Sequence, residues 1–372
     1  MPTEVRLAVA GSGKTAEIVS KISDQPANTA SAAITYTLNG QSEIESRLPS
    51  PLASVHETVG WFSFLSNHIV RPYLPRVFAG VQPSGLCFVS SEQDIPRYRR
   101  DWRYYFNDAQ QPYSLRLATL ANKVMKASAG APISRLERIY DRIYIDEFQD
   151  LGGNDLEILE ALMRSKIDVF LTGDIRQTVL TTSVADRLHT EFRGARLVDW
   201  FRAKADAGLC EIIPNNTTSR FNQRIASVSD LVHPAELELP STVSTQEHRT
   251  GHDGVFLVDE TQLLHYAQKF SICPTMLQVR KSGKILPDGE VLNFGTSKGL
   301  TRDRVIIIAP GPVTKWLTKR TEFAPKSAAG FYVAITRARY SVALVVKKAA
   351  HIHENLHTDF IGKIQLWQPN FE

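Results

Sequence analysis

Cysteine is scarce in this chain of 372 residues: Cys87, Cys210 and Cys273 stand far apart, and no C-x-x-C pair occurs. That excludes a disulfide framework and a cysteine-based zinc site, and it is the usage of a chain kept in a reducing compartment. Long apolar runs are missing as well, none reaching the roughly 18 residues that a membrane-spanning helix requires. The opening segment, with its "LAVAGSG", has neither a basic leader nor a long apolar stretch, so no signal peptide and no membrane association are expected, and the anticipated location is cytoplasmic. Charge of one sign is not in excess either. Lys and Arg number 43 against 39 Asp and Glu, a net +4 that permits polyanion binding without requiring it. A hydrophobic fraction of 43% excludes intrinsic disorder.

What is present is a repeated alternation. "VRLAVAGSGKTAEIVSKI" reads as strand, glycine-rich turn and helix, and "SAAITYTLNGQSEIESRL" as a strand turning into a second helix. "TVGWFSFLSNHIVRPYL" has a helical pattern. "RIYIDEF" and "IDVFLTGD" are short apolar runs ending in polar turns, with the helix "GNDLEILEALMRS" between them. After about residue 200 the pattern restarts with "GVFLVDE", "TMLQVR", "EVLNFGTS", "RVIIIAP" and "YSVALVV". Such alternation predicts an α/β fold with parallel sheets covered on both faces, in two domains. The expected division is 1–200 and 201–372, with a reduced, irregular insertion at about 75–135.

The strongest local signal is "AVAGSGKT", Ala8 to Thr15, set between a strand and a helix. Ala10, Gly11, Ser12 and Gly13 would curl their N–H groups around phosphate oxygens, aided by the following helix N-terminus. Lys14 would reach the β- and γ-phosphates, and the Thr15 hydroxyl would ligate Mg²⁺. The pattern begins with Ala8 where the strict motif has glycine. A triphosphate there gives the acidic pair in "IDEFQD" a purpose: Asp146 to hold Mg²⁺ and Glu147 to act as general base on the attacking water.

Taken in order, these segments resemble the motifs of superfamily 1 DNA helicases of the UvrD/Rep type. "AVAGSGKT" resembles the first motif, "ITYTLNGQSEIESRL" the second, and "IDEFQDL" the acidic one; "FLTGDIRQTV" resembles the γ-phosphate sensor and "TSRFNQRI" the arginine motif. "GTSKGLTRDRVIII" and "FYVAITRAR" resemble the last two. The resemblance implies two RecA-like domains closing on ATP and Mg²⁺, and single-stranded DNA as the track. It implies that Gln177 senses the γ-phosphate, Arg220 and Arg337 contact it with Arg337 as the arginine finger, Gly299 lies at the nucleotide, and Thr35, Tyr36, Thr37 and Trp61 touch DNA. It covers almost the whole chain but leaves no room between Arg220 and Lys298 for a large second accessory domain.

Some positions depart from that pattern. Ser219 stands where the family carries a base-stacking aromatic, with Phe221 the nearest ring, and Leu180 and Thr182 stand where aromatics would stack on DNA. Fewer stacking platforms favour a second reading: a nucleotide-gated subunit resembling the helicase-like partners of nucleases in bacterial anti-phage systems. "IPRYRRDWRYYF" reads either as a basic-aromatic DNA surface or as a buried amphipathic insertion. "HIHENLH" reads as a solvated helical face without a metal.

Overall fold

The computed structural model describes residues 2–49, 55–96, 101–179, 186–279, 286 and 289–369. The anticipated fold class is what it shows: an α/β protein with two six-stranded sheets.

The strands are β1 (Thr3–Ala8), β2 (Ser31–Thr35), β3 (His56–Gly60), β4 (Arg142–Asp146), β5 (Asp168–Gly173), β6 (Cys210–Asn215), β7 (Thr217–Thr218), β8 (Val243–Ser244), β9 (Gly254–Asp259), β10 (Thr275–Gln278), β11 (Val291–Asn293), β12 (Arg302–Ile308), β13 (Ala338–Val346) and β14 (Ile364–Leu366). The first sheet has the order β3-β2-β4-β5-β1-β6 and the second β11-β10-β12-β13-β9-β14, while β7 and β8 form a separate pair. Contacts between β2 and β3, β2 and β4, β4 and β5, and β1 and β5 are all parallel. So are those linking β9 to β14.

Central strands such as β2, β4, β9 and β10 are buried along nearly their whole length. That is why they stand out in the sequence as continuous apolar runs rather than as alternation. Their burial builds separate cores. Ile18, Ile22, Ala33, Ile44, Tyr144 and Phe170 pack on one face of the first sheet. Trp316, Phe331, Tyr332 and Leu344 belong to the largest cluster of the second sheet.

By contact the chain divides into two compact units. The first comprises Met1–Leu7, Gly13–Asp174 and Leu180–Pro214; the second comprises Ala8–Ser12, Ile175–Val179 and Asn215–Glu372. The last change of unit along the chain falls at 214/215, after β6, which joins the first sheet beside β1. Between 75 and 135 the expected irregularity is present as short 3-10 turns, but it ends in an ordered helix, Leu117–Ala127, followed by a short one, Ala131–Leu136. "TVGWFSFL" is less helical than its pattern suggests, since β3 runs to Gly60 before the helix begins at Trp61.

Candidate nucleotide site and nucleic-acid surface

In the first unit, three strand ends fix the chemistry. Asp146, the last residue of β4, lies in register with Thr172 on β5, and Leu7 of β1 lies in register with Gly173. Neighbouring parallel strands sit about 4.8 Å apart, so whatever follows β1 and β4 emerges on one edge, the carboxyl edge where α/β sheets take ligands. Gly11 and Gly13 have φ of 76° and 82°, left-handed values that bend the chain from β1 into the helix Lys14–Ser23. Thr15 Oγ1 donates to Asp146 Oδ2 at 2.9 Å, which brings the second helical residue of the phosphate loop onto the acidic motif.

Asp146 is only 4% exposed. Burial first, and then the neighbouring charge of Glu147, push its carboxyl well above the ordinary carboxylate range; Lys14 and the Thr15 hydroxyl pull the other way. A buried carboxylate beside a hydroxyl is a hard oxygen donor pair of the kind Mg²⁺ takes. Within the phosphate loop Ser12 Oγ is likewise buried without a protein partner among the described residues. The donors present fit a magnesium-bound phosphate.

Glu147 is positioned by its own backbone and by a glutamine. It sits at φ 58°, ψ 40°, a left-handed conformation uncommon for a residue with a side chain. Gln149 Nε2 donates to Glu147 Oε2. The same amide's Oε1 accepts from Asp174 N–H at 3.0 Å. Gln149 thus ties the candidate base to the end of β5. Room for it depends on Gly173, where an added Cβ would lie 2.4 Å from Gln149 Oε1 and 2.8 Å from the Phe148 ring. Gly173→Ala is therefore expected to cost about 1–3 kcal/mol by overpacking and to displace Gln149. Urea unfolding together with turnover measured on the folded fraction checks both effects, and an unchanged denaturation midpoint would count against the crowding.

The second unit holds the other candidates. Ala10 O accepts from Thr218 Oγ1 at 2.8 Å, and Ala10 N–H donates to the Tyr332 hydroxyl at 3.4 Å. Gly11 O accepts from Ser219 N–H at 3.2 Å. A Cβ on Gly11 would collide with Arg220 Cβ at 2.4 Å, so glycine is required there by both φ and space. Gln177 and Arg337 meet: Arg337 Nη2 donates to Gln177 Oε1 at 3.3 Å and to Thr336 Oγ1 at 3.2 Å. Arg337 Nε donates to Val333 O at 2.9 Å, and Nη1 to Leu300 O at 3.0 Å. Gly299, with φ 86°, makes the turn that presents the Leu300 carbonyl to this arginine. Arg337 is 1% exposed. The segment carrying Gln177 is pinned through Arg176, which donates to Pro240 O at 2.6 Å, and by His233 Nε2 against Arg176 O at 3.1 Å. Burial and the Arg176 charge push the His233 imidazole down to about 4, so it serves as a neutral donor.

Of the four residues expected to touch DNA, the structure separates the roles. Trp61 does not face outward: it is 1% exposed, and its Nε1 donates to buried Asp155 Oδ1 at 2.7 Å. The indole N–H found an internal partner, so this ring belongs to the core and the expectation of a DNA contact is corrected. Phe221, the ring nearest Ser219, is fully buried as well. Thr37 caps the helix Leu38–Arg47 by accepting from Gly40 N–H at 3.1 Å. Thr35 is 1% exposed, and its hydroxyl has no protein partner among the described residues. Tyr36 is half-buried, with its ring edge-to-face against Phe62 at 5.5 Å. Leu180 and Thr182 lie outside the described residues, as does 97–100 of the basic-aromatic stretch. Of the rest of that stretch, Phe106 is fully buried, and Tyr104 stacks beneath the Arg116 guanidinium at 4.0 Å.

Thr218, Asp174, Tyr332 and Leu300 lie inside the quoted motifs, but nothing in the sequence signalled their holding roles, which they play through backbone groups or hydroxyls. Gln149 could have been assigned a holding role, since it lies two residues from Glu147.

Among the described residues no helix is long and apolar enough to cross a membrane. No protein-family model matches the sequence, and no curated protein matches it. Two solved structures of an arterivirus helicase, nonstructural protein 10, are loosely similar. One is 14% identical with a TM-score of 0.44, covering 95% of this chain and 62% of that one. The other, a complex with DNA, is 13% identical with a TM-score of 0.43, covering 92% and 60%. The chain thus spans about three fifths of the length of those proteins.

Proposed function

We propose that this chain is an ATP-hydrolysing motor core of the UvrD type that acts on single-stranded DNA. The observation that carries the reading is the 2.9 Å bond from Thr15 Oγ1 to Asp146 Oδ2, with Glu147 held beside it by Gln149. Lys14 binds the β- and γ-phosphate oxygens, and the N–H groups of Ala10 to Gly13 cradle them. Thr15 and Asp146 would hold Mg²⁺, which when bound supplies neutralising charge to the phosphates. Glu147 takes the proton of the attacking water, and Gln149 keeps its carboxylate in place. Arg337 and Arg220 supply positive charge to the transferring phosphoryl group, with Gln177 orienting Arg337. Thr35, Tyr36 and Thr37 contribute the nucleic-acid surface, and the helix start beside them suits a backbone phosphate.

The test is steady-state hydrolysis with and without single-stranded DNA, RNA and duplex. Single-stranded DNA is expected to raise turnover, and Lys14→Ala to abolish it. Absence of hydrolysis under every condition would remove the reading. A second reading, a nucleotide-gated partner of a nuclease that does not translocate, is favoured by the burial of Trp61, which leaves Tyr36 as the one ring of that quartet able to meet a base. Hydrolysis indifferent to nucleic acid but raised by a partner protein would select it.

A further inference from the structure

Phe88 is 71% exposed, yet the backbone on either side of it is hydrogen-bonded. Cys87 N–H donates to Pro112 O at 2.9 Å, Ser114 N–H donates to Cys87 O at 2.9 Å, and Val89 N–H donates to Ser114 Oγ at 3.3 Å. A large apolar ring held out in solvent on an anchored backbone loses little freedom when something stacks on it. The ring is not isolated. Phe88 meets Phe62 edge-to-face at 5.9 Å, and Phe62 meets Tyr36 edge-to-face at 5.5 Å, so the three rings run in series.

These rings line a cleft of about 290 Å³, to which Gln41, Ser63 and Ser114 add an amide and two hydroxyls. That volume lies at the small end of ligand pockets, suited to one flat ring system rather than to an element of a folded protein. No charged side chain among the described residues lines it. The lining therefore selects an uncharged aromatic group with hydrogen-bonding edges, not a phosphate. It opens beyond Thr35 and Gly60, the last residues of β2 and β3, on the same carboxyl edge as Asp146.

We propose that Phe88 is a nucleobase-stacking platform supplied by the insertion, binding one unpaired base of a single strand in the cleft it shares with Phe62 and Tyr36. The inference rests on the single-strand reading above and adds a contact which that reading does not contain. It gives the insertion a task, and buried Trp61 forms part of the cleft wall.

The experiment compares wild type, Phe88→Ala and Phe88→Trp by fluorescence anisotropy, at one fixed salt concentration, using labelled oligo-dT and an abasic oligonucleotide of equal length. Base–aromatic stacking predicts that Phe88→Ala weakens oligo-dT binding roughly 5- to 150-fold. Phe88→Trp should restore it, and the abasic strand should bind wild type and Phe88→Ala alike. Melting temperature should not move, since the ring is mostly in solvent. Wild-type affinity for oligo-dT in Phe88→Ala would overturn the assignment, including where that variant instead loses a protein partner. Equal losses for both oligonucleotides would overturn it too, because the ring would then not be reading a base. If wild type itself binds neither strand, the single-strand reading fails and takes this inference with it.

Discussion

Glu147→Gln is expected to leave nucleotide affinity within about twofold of wild type while lowering single-turnover hydrolysis roughly 10²- to 10⁴-fold, the usual contribution of a positioned general base. The substitution keeps the shape of the side chain, and Gln149 can still donate to the oxygen that remains, so the link through Gln149 to Asp174 N–H survives. The proton acceptor is removed, together with the charge that, after burial, pushes the Asp146 carboxyl up. The left-handed backbone at Glu147 belongs to the turn between β4 and Phe148–Asp150 and does not depend on the carboxylate. Nucleotide titration beside rapid-quench turnover separates the two quantities. Turnover within a few-fold of wild type would move the base elsewhere. A parallel loss of affinity would show that Glu147 holds the ligand rather than activating water. Lys14→Ala provides the contrast, because its loss should appear in binding as well as in rate.

How much of this was legible in the sequence follows from burial. Strands such as β9, β12 and β13 are sheathed on both faces and announced themselves as apolar runs, and so did the phosphate loop between strand and helix. β3, "HETVG", could not be read in the same way: it is an edge strand, and its polar residues are partly exposed. β6 and β14 also lie at edges, and β14 has only three residues to show a pattern. Trp61 was read outward because a tryptophan beside a proposed DNA motif suits stacking; its partner, Asp155, lies 94 residues away and no local pattern could have supplied it. The insertion hid Phe88 for the opposite reason. Its fold rests on bridges such as Cys87 to Tyr113 and Phe106 to Pro112, which impose no periodicity on the residues between them. Motifs located the groups that would meet a phosphate, whereas the groups that hold those residues in place became visible only in three dimensions.

Arg337 tests whether a buried guanidinium is structural or chemical. Its donors reach Val333 O, Leu300 O, Thr336 Oγ1 and Gln177 Oε1, among other contacts, so the side chain is held from several directions. Arg337→Lys keeps the charge but loses the planar fork, and is expected to lower turnover about 10³-fold or more, the range ascribed to arginines that neutralise phosphoryl transfer. Nucleotide affinity should fall far less, because the contact strengthens in the transition state. Arg337→Ala should add a stability loss, since leaving buried carbonyls such as Leu300 O without a donor costs about 1–3 kcal/mol each. Urea unfolding of both variants, with turnover and affinity measured on the folded fraction, decides between the roles. A purely structural pin would lower the unfolding midpoint of each and leave the folded fraction's turnover near wild type. A transition-state cation would give the lysine variant a modest change in stability and a collapse in turnover. Gln177→Ala, which removes one acceptor and no charge, should reproduce a weaker form of the same split between rate and affinity if it orients Arg337 for the phosphoryl group.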